Sequence, residues 1–363
     1  MKPTATPARL LTPSSIWNSF RSSNKRHIVI TGGRATGKTT LLGKLFPDTK
    51  PRGITTRAVP KKEVCLYENG TENGITVGIY DDTLPGSENK MRPCTEAFAS
   101  LGVALLERLA SCADEWISVD EIGYLETECP AYCRALELLM EKKRVAAVVR
   151  KQSLPFLKSL CKRPDVFLVD LDDPFGRISC VIMASGMGKR FGGNKLMADF
   201  HGQPMILRAA EATEGIFEKR IVVTRHADVA ELCCLHGMES VLHDLPHRND
   251  TIRLGIEAIG ESDACVFCPG DQPLLRWETV AALALAAKNH PDDIWRVSFE
   301  GTPGAPVLFP AWAFAELSSL PEGKGGGVLA KKYPERVRTV CARDRFELMD
   351  TDTPEDLEFL KQL

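Results

Sequence analysis

Several common features are missing from this chain, and each absence narrows what the protein does. Its 363 residues contain no apolar run that approaches the ~20 residues of a membrane-spanning helix. Neither sign of charge dominates, because 46 Lys and Arg oppose 48 Asp and Glu for a net charge of -2. This balance gives no general attraction to nucleic acid or to an anionic membrane, and no basic module interleaved with aromatic residues is present. We therefore expect neither nucleic acid nor a membrane among its partners.

We expect neither a disulfide framework nor a secretory leader in this chain. The 12 cysteines are scattered, and the one C-x-x-C, Cys265 to Cys268, has no second pair nearby, so neither disulfides nor a zinc site is expected. Residues 1–25 are rich in Pro, Ser and Thr but have no continuous apolar stretch. That composition is typical of a loosely ordered lead-in and not of a signal peptide. These features predict a cytoplasmic protein with reduced thiols.

The length and the order of the predicted elements indicate two α/β domains. The chain exceeds the size of one ordinary hydrophobic core. Short β-branched runs alternate with helical stretches over residues 27–170, and the pattern restarts at Ser179–Met183 after a turn-rich segment. Such alternation predicts mostly parallel sheets covered by helices on both faces. We predict a flexible N-terminal segment over 1–25, a first domain over 26–175 and a second domain over 176–363.

The first domain opens with a loop that fits the phosphate-binding pattern G-x-x-x-x-G-K-[ST] in full, Gly32 to Thr39. Backbone N–H groups of such a loop turn toward the phosphates, and the following helix adds its positive N-terminus. Lys38 is expected to reach the β- and γ-phosphates, and the Thr39 hydroxyl to bind Mg²⁺. The predicted nucleotide contacts are Gly32, Gly33, Arg34, Ala35, Thr36, Gly37, Lys38, Thr39 and Thr40.

An acidic pair at the end of a later strand supplies what a phosphate-binding loop needs for hydrolysis. Asp120 and Glu121 follow the strand-like run 115–119. Asp120 is expected to hold the Mg²⁺, and Glu121 to orient or polarise the attacking water.

The same region resembles a known family, the THEP1-type nucleoside triphosphatases. Residues 120–126 (DEIGYLE) are similar to its DEIG segment, and residues 53–57 with 73–78 are similar to its second-strand hairpin. The resemblance covers about 26–172 and implies Mg²⁺-dependent hydrolysis of nucleoside triphosphates such as ATP with little base selectivity. Arg57 is either a phosphate contact or a solvated arginine.

A second glycine loop, residues 183–196, has a different construction. No G-K-[ST] closes it, and its glycines miss the G-x-G-x-x-G spacing. It combines flexible glycines with three cations that suit a triphosphate and the departing pyrophosphate. The predicted contacts are Ala184, Ser185, Gly186, Met187, Gly188, Lys189, Arg190 and Lys195.

This loop resembles the L-A-A-G-x-S-x-R-M-G-x-x-K-L signature of the MobA/MocA-like nucleotidyltransferases. Ser185, Gly188 and Phe191 depart from its usual residues, but no cation or key glycine is lost. Residues 268–274 (CPGDQPL) and 350–357 (DTDTPEDL) resemble two further segments of that family.

The family resemblance implies a metal-binding aspartate in each of these two segments. Asp271 is expected to hold Mg²⁺ near the α-phosphate, and Asp352, with Asp350 as the alternative, to supply a second ligand. Arg190, Lys195 and Asp271 are the expected catalytic residues here, beside Lys38 and Glu121 in the first domain. Thr353 and Pro354 also suit the start of a helix.

Other parts of the second domain bear on substrate choice. Residues 301–309 are similar to a G-x-P-G-H-P-V-L-F loop that would line the acceptor pocket, with Ala305 where the family often has His. Asn249 or Thr251 is expected either to contact nucleotide or to cap a helix. His243 and His247 flank Pro246 without metal-ligand spacing, so both are predicted to be structural or exposed.

Together, the resemblances imply a P-loop NTPase three-layer sandwich followed by a Rossmann-like, GT-A-like nucleotidyltransferase sandwich. The second domain would transfer a nucleotide, CMP from CTP in preference to GMP from GTP, to a molybdopterin-type acceptor. A molybdenum hydroxylase would then receive the product. Two alternatives stay open, a sugar- or polyol-phosphate nucleotidyltransferase and a cofactor-delivery protein or chaperone driven by the NTPase.

Overall fold

A computed structural model describes residues 11–85 and 90–363 of the chain. The chain forms two compact units. Residues 11–13 and 24–174 belong to the first, and residues 14–23 and 175–363 belong to the second.

The described residues form the following strands: β1 His27–Thr31, β2 Gly53–Val59, β3 Glu63–Glu68, β4 Gly74–Tyr80, β5 Met91–Pro93, β6 Trp116–Ile122, β7 Arg144–Val149, β8 Val166–Asp170, β9 Ile178–Ala184, β10 Asp199–Phe200, β11 Gln203–Pro204, β12 Lys219–Thr224, β13 Glu239–Leu242, β14 Ala264–Pro269, β15 Ile294–Phe299, β16 Thr302–Pro310 and β17 Val337–Cys341.

The α-helices are α1 Pro13–Ser22, α2 Lys38–Leu45, α3 Thr95–Ala97, α4 Val103–Ser111, α5 Tyr124–Thr127, α6 Pro130–Lys142, α7 Pro155–Cys161, α8 Ile206–Ala212, α9 Ala227–Leu235, α10 Arg248–Ile259, α11 Trp277–Asn289, α12 Phe314–Ser318, α13 Gly327–Lys332 and α14 Pro354–Leu360. A π-helical turn, Phe98–Gly102, joins α3 to α4, and short 3-10 helices occupy Lys195–Met197, Ala311–Ala313, Pro334–Arg336 and Arg345–Leu348. In the described ranges, no helix has both the length and the apolar character required to cross a bilayer.

The first unit is built on an eight-stranded sheet in the order β5-β4-β3-β2-β6-β7-β1-β8. Strands β2, β6, β7, β1 and β8 run parallel, whereas β2 to β5 form an antiparallel extension. The prediction of a mostly parallel sheet therefore holds for the half that contains β1. Every residue of β1 is buried, as expected for a strand with both faces covered.

The register of this sheet brings two predicted site residues to one edge. Val148 of β7 pairs with Ile30 of β1 on one side and with Asp120 of β6 on the other. The carboxyl ends of β1 and β6 therefore lie level with each other, two strand spacings or roughly 10 Å apart. The loop after β1 can reach across that distance to Asp120.

The second unit has a seven-stranded sheet in the order β13-β12-β9-β14-β16-β15-β17. Only β16 runs antiparallel to its neighbours. Strands β9 and β14 are adjacent and parallel, with Met183 opposite Pro269, and the Gly270 N–H donates to the Met183 carbonyl at 3.1 Å. The second glycine loop and the Asp271 segment therefore leave the sheet side by side.

Helix α1 differs from the expected flexible lead-in. Ile16 and Phe20 are buried, the Ser15 hydroxyl donates to the Glu278 carbonyl at 3.0 Å and the Ser19 hydroxyl donates to the Ala282 carbonyl at 2.6 Å. The helix is thus part of the second unit although it precedes the first unit in the chain. Composition pointed to disorder here, but the apolar face of the helix finds tertiary partners far along the chain. Residues 1–10 of the predicted segment lie outside the described residues.

Candidate functional sites

The first site forms where the loop after β1 enters helix α2. Ala35 and Gly37 adopt positive φ values of 62° and 92°, which lets the loop curl back on itself. Lys38 is buried and its ammonium group donates to the Gly32 and Gly33 carbonyls at 2.9 and 2.5 Å. The lysine therefore closes the loop over the space that a phosphate would enter.

Asp120 reaches this loop from the end of β6. Its carboxylate accepts a hydrogen bond from the Thr39 hydroxyl at 2.9 Å. Burial raises the pKa of Asp120 above its ordinary value, although the bond from Thr39 acts in the opposite direction. The predicted neighbours Thr39 and Asp120 are thus brought together, and their oxygens are of the kind that Mg²⁺ prefers.

Glu121 is held by a residue that sequence reasoning missed. Arg150 follows β7 directly and binds both carboxylate oxygens of Glu121, at 3.0 and 3.1 Å. Its side chain crosses Gly123, where an added Cβ would lie 2.8 Å from the Arg150 Cδ. Glu126, which is buried, caps Gly123 by accepting its N–H at 2.8 Å. The sequence did contain one signal for this role of Arg150: it is a cation that directly follows a buried strand, at the sheet edge that carries Asp120.

A further carboxylate from the end of this unit touches the phosphate-binding loop. Asp172 accepts the Gly33 N–H with both oxygens, at 3.1 and 3.0 Å, and pairs with Lys151 at 3.0 Å. The bond from Gly33, together with Lys151, lowers the pKa of Asp172. Arg57 lies 4.9 Å from the centre of the Tyr67 ring.

The second site contains three aspartates around one buried lysine. The Lys195 ammonium lies 2.7 Å from Asp271 and 3.2 Å from Asp352, and Arg190 binds the other Asp352 oxygen at 2.7 Å. Burial alone would lower the pKa of Lys195, but the two carboxylates raise it above its ordinary value. Asp350 completes the group, since the Gln272 amide donates to it at 2.9 Å. Its pKa is raised by burial and by nearby Asp271.

The segment that carries Asp352 also has the helix-starting role that its sequence suggested. Thr353 is the N-cap of α14, and its hydroxyl accepts the Asp356 N–H at 3.1 Å while Asp356 accepts the Thr353 N–H at 2.8 Å. Pro354 occupies the first turn. This capping box fixes the backbone that presents Asp352 to Lys195.

Two histidines hold the start of the second glycine loop. Leu245 donates its N–H to His243 Nδ1 at 3.2 Å, which leaves the proton of the neutral ring on Nε2, 2.8 Å from the Ser185 hydroxyl. The Ser185 hydroxyl in turn donates a hydrogen bond to the Val223 carbonyl at 3.1 Å. Burial lowers the pKa of His243 and favours this neutral form. His226 contacts the Gly186 carbonyl at 2.9 Å. His243 is therefore structural, because its hydrogen bond to Ser185 holds the start of the glycine loop.

A cavity of about 530 Å³ opens between this loop and the aspartates. Its wall includes Ser185, Gly186, Thr251, Asp271 and Asp350. Thr251 therefore faces the candidate site, whereas the other alternative, Asn249, accepts the Gly323 N–H at 2.9 Å and anchors the loop at 323–327. The volume lies within the range of small-molecule sites.

The comparisons with known proteins assign a family to each unit. Residues 27–174 match the model of the NTPase family, and residues 180–337 match the model of the MobA-like NTP transferase domain. The chain contains one domain of each family. Both resemblances seen in the sequence are thereby confirmed, together with the two-sandwich α/β fold.

The curated relatives match a short part of the chain. The 3-deoxy-manno-octulosonate cytidylyltransferase of Neisseria meningitidis serogroup C (strain 053442) is 34% identical over 96 residues, which cover 24% of this chain and 36% of that protein. The cytidylyltransferase of the same name from Neisseria gonorrhoeae (strain NCCP11945) shows the same identity and coverage. The chain thus spans little more than a third of the length of these relatives.

Solved structures are similar to part of the chain. A nucleotidyl transferase from Methanothermobacter thermautotroptrophicus is 21% identical with a TM-score of 0.45, covering 51% of this chain and 96% of that chain. THEP1 from Aquifex aeolicus is 22% identical with a TM-score of 0.34, covering 40% of this chain and 89% of that one.

Proposed function

We propose that the second domain transfers a nucleotide monophosphate from a nucleoside triphosphate to an anionic acceptor, and that CTP is the donor. The observation that carries this proposal is the meeting of the glycine loop, Lys195 and Asp271 at the carboxyl ends of the adjacent strands β9 and β14. The cytidylyltransferase names of the curated relatives favour CTP over GTP. The twelve cysteines are free thiols, which suits a site of action in the reducing cytoplasm.

The reaction that this site supports is an in-line displacement. An oxygen of the acceptor attacks the α-phosphorus, the bond to the bridging oxygen of the β-phosphate breaks, and pyrophosphate leaves with that electron pair. Lys195 and Arg190 now neutralise aspartates, and the incoming triphosphate would draw these cations to its own oxygens. Positioning and charge neutralisation then account for the rate, with no covalent intermediate on the protein.

Both domains present oxygen donors that fit Mg²⁺. Thr39 and Asp120 would hold it in the first domain, and Asp271 with Asp352 in the second, where it would offset the negative charge of the phosphates. Among the described residues, no group of three or more His, Cys, Asp or Glu could hold a metal by itself. Phosphate and water oxygens would therefore complete each coordination shell, as is usual for Mg²⁺.

We propose that the first domain hydrolyses nucleoside triphosphates such as ATP. Lys38 would bind the β- and γ-phosphates, while Glu121, oriented by Arg150, would polarise the water that attacks the γ-phosphorus. The bond from the γ-phosphorus to the bridging oxygen breaks, the nucleoside diphosphate leaves with that electron pair, and the γ-phosphoryl group and the water form orthophosphate. The first domain would thus release orthophosphate, whereas the second would release pyrophosphate, so one assay can separate the two activities.

Two acceptors are proposed for the second domain. Molybdopterin, through its phosphate, is favoured by the motif resemblance over residues 183–196, and a molybdenum hydroxylase would then be the recipient of the dinucleotide. A second candidate, 3-deoxy-manno-octulosonate, is favoured by the names of the curated relatives. Both acceptors are anions.

The deciding experiment measures pyrophosphate and orthophosphate separately. The full chain is incubated with Mg²⁺ and each nucleoside triphosphate, alone, with molybdopterin, or with 3-deoxy-manno-octulosonate. We expect orthophosphate with every nucleotide, and acceptor-dependent pyrophosphate with CTP. Lys38→Ala should abolish only orthophosphate release, and Asp271→Asn only pyrophosphate release.

Other outcomes would reject specific parts of the proposal. If neither molybdopterin nor 3-deoxy-manno-octulosonate led to pyrophosphate release, the assigned transfer reaction would be contradicted. Orthophosphate release that survives Lys38→Ala would show that hydrolysis does not occur at the first site. Faster turnover of GTP than of CTP with an acceptor present would overturn the choice of donor.

A further inference from the structure

An arginine beside the cavity of the second unit has no acidic partner. Arg296 lies on β15 and is half-buried. Its Nε and Nη2 both donate to the Gly304 carbonyl, at 3.3 and 3.2 Å. Neither an ion pair nor any other hydrogen bond engages it in the described part of the chain. Three of the five N–H groups of this guanidinium therefore lack an acceptor among those residues.

The sheet register places Arg296 on the same face of the sheet as two residues that line the cavity. Arg296 pairs with Val307 of β16, and Val307 pairs in turn with Phe267 of β14. Side chains that pair across neighbouring strands share one face of a sheet. Val307, Phe267 and Gly304 all line the cavity that contains Asp271. Arg296 therefore shares a face of the sheet with Val307 and Phe267 and lies next to the cavity wall that these two residues help to form.

Another arginine of the same sheet has an acidic partner. Arg338, on the adjacent strand β17, forms an ion pair with Asp293. Arg338 pairs with Trp295, the residue before Arg296, and therefore lies on the opposite face of the sheet. Burial lowers the pKa of Arg296 below its ordinary value, as expected for a cation that loses water without gaining a carboxylate. An uncompensated charge at a cavity edge is costly unless an anion arrives to offset it.

We propose that Arg296 binds an anionic group of the acceptor, a carboxylate or a phosphate, and thereby positions the acceptor in the cavity. This inference rests on the proposed transfer reaction and assigns the acceptor end of the same site. The Gly304 carbonyl holds the guanidinium by one edge and leaves the other N–H groups for the anion. Arginine suits this task because its planar donor array matches both carboxylate and phosphate oxygens. The two acceptors proposed above differ in which of these anions they offer.

The test compares Arg296→Gln and Arg296→Lys with the matched control Arg338→Gln in acceptor-dependent pyrophosphate release. Arg296→Gln should raise the KM for the acceptor by about 10- to 100-fold, the usual loss for a hydrogen bond to a charged group. The KM for CTP should stay unchanged, and Arg296→Lys should recover part of the loss. Inorganic phosphate or acetate should compete with the acceptor in the wild type and in Arg338→Gln, but not in Arg296→Gln.

A second measurement separates this inference from the transfer reaction itself. Calorimetric titration with molybdopterin and with 3-deoxy-manno-octulosonate, without nucleotide, reports binding alone. Binding that is lost in Arg296→Gln supports the anion site even if no pyrophosphate forms. Turnover with an unchanged acceptor KM in Arg296→Gln would overturn the anion site and leave the transfer reaction standing. Equal rises in the KM for CTP and for the acceptor would assign Arg296 a purely structural role.

Discussion

The protonation of His27 should make the first unit sensitive to mild acid. This side chain is fully buried on β1, and its Nδ1 accepts the Val145 N–H of β7 at 3.1 Å. The neutral ring therefore carries its proton on Nε2, which approaches Asp165 at 3.3 Å. If Nδ1 were protonated, its N–H would face the Val145 N–H, and two donors would then oppose each other. Burial lowers the pKa of His27 from 6.5 to about 4, more than Asp165 raises it.

The size of the effect follows from the two pKa values. Because the pKa is lower in the folded state, the unfolded chain binds more protons between pH 6.5 and 4, and the free energy of unfolding falls as the pH falls through that window. The full loss is about 3 kcal/mol below pH 4, and about 2 kcal/mol is already lost at pH 5 relative to pH 7.5.

Hydrogen exchange of peptides from β1 and β7 measures this loss. We expect the free energy of opening, corrected for intrinsic exchange rates, to fall by about 2 kcal/mol between pH 7.5 and 5. In His27→Asn, the amide oxygen can still accept the Val145 N–H but does not titrate, so this contribution to the pH dependence should disappear. An identical pH dependence in the wild type and in His27→Asn would refute the reasoning.

The remaining predictions concern the two sites and helix α1. Glu121→Gln should slow orthophosphate release by about 10²-fold or more with nucleotide binding retained. Gly123→Ala should displace Arg150 from Glu121 and slow the same reaction, with no further loss when it is combined with Arg150→Ala. Asp271→Asn should reduce pyrophosphate release by about 10²-fold or more without changing orthophosphate release. Phe20→Ala should destabilise the second unit by about 3–5 kcal/mol and leave ATP hydrolysis unchanged.

Each of these predictions has its own control. Glu121→Gln is checked by equilibrium binding of a fluorescent nucleotide, and weakened binding would argue for a structural role. Additive losses in Gly123→Ala and Arg150→Ala would show that the two residues act separately. A fall in orthophosphate release in Asp271→Asn would contradict the assignment of Asp271 to nucleotide transfer alone. Hydrogen exchange that is unaltered in α11 after Phe20→Ala would contradict the packing of α1.

Local sequence patterns specified both glycine-rich loops. Each loop is a contiguous segment between a strand and its next element, so its residue types determine the chemistry before any distant contact forms. Gly32–Thr39 and the loop after β9 therefore lie where the sequence predicted them. The strands that precede Asp120 and Asp271 were predicted for the same reason, because short apolar β-branched runs next to helices favour buried parallel strands.

Partners that come from other strands could not be predicted in this way. Arg150 holds Glu121, and Arg296 lies next to the cavity wall, because of strand order and register, and neither property is encoded by local spacing. Helix α1 shows the same limit, since its partners Glu278 and Ala282 lie more than 250 residues further along the chain. The sequence by itself determined the two glycine-rich loops and the strands that precede them. The tertiary structure alone decided which charges are neutralised within the fold and which remain free to meet a ligand.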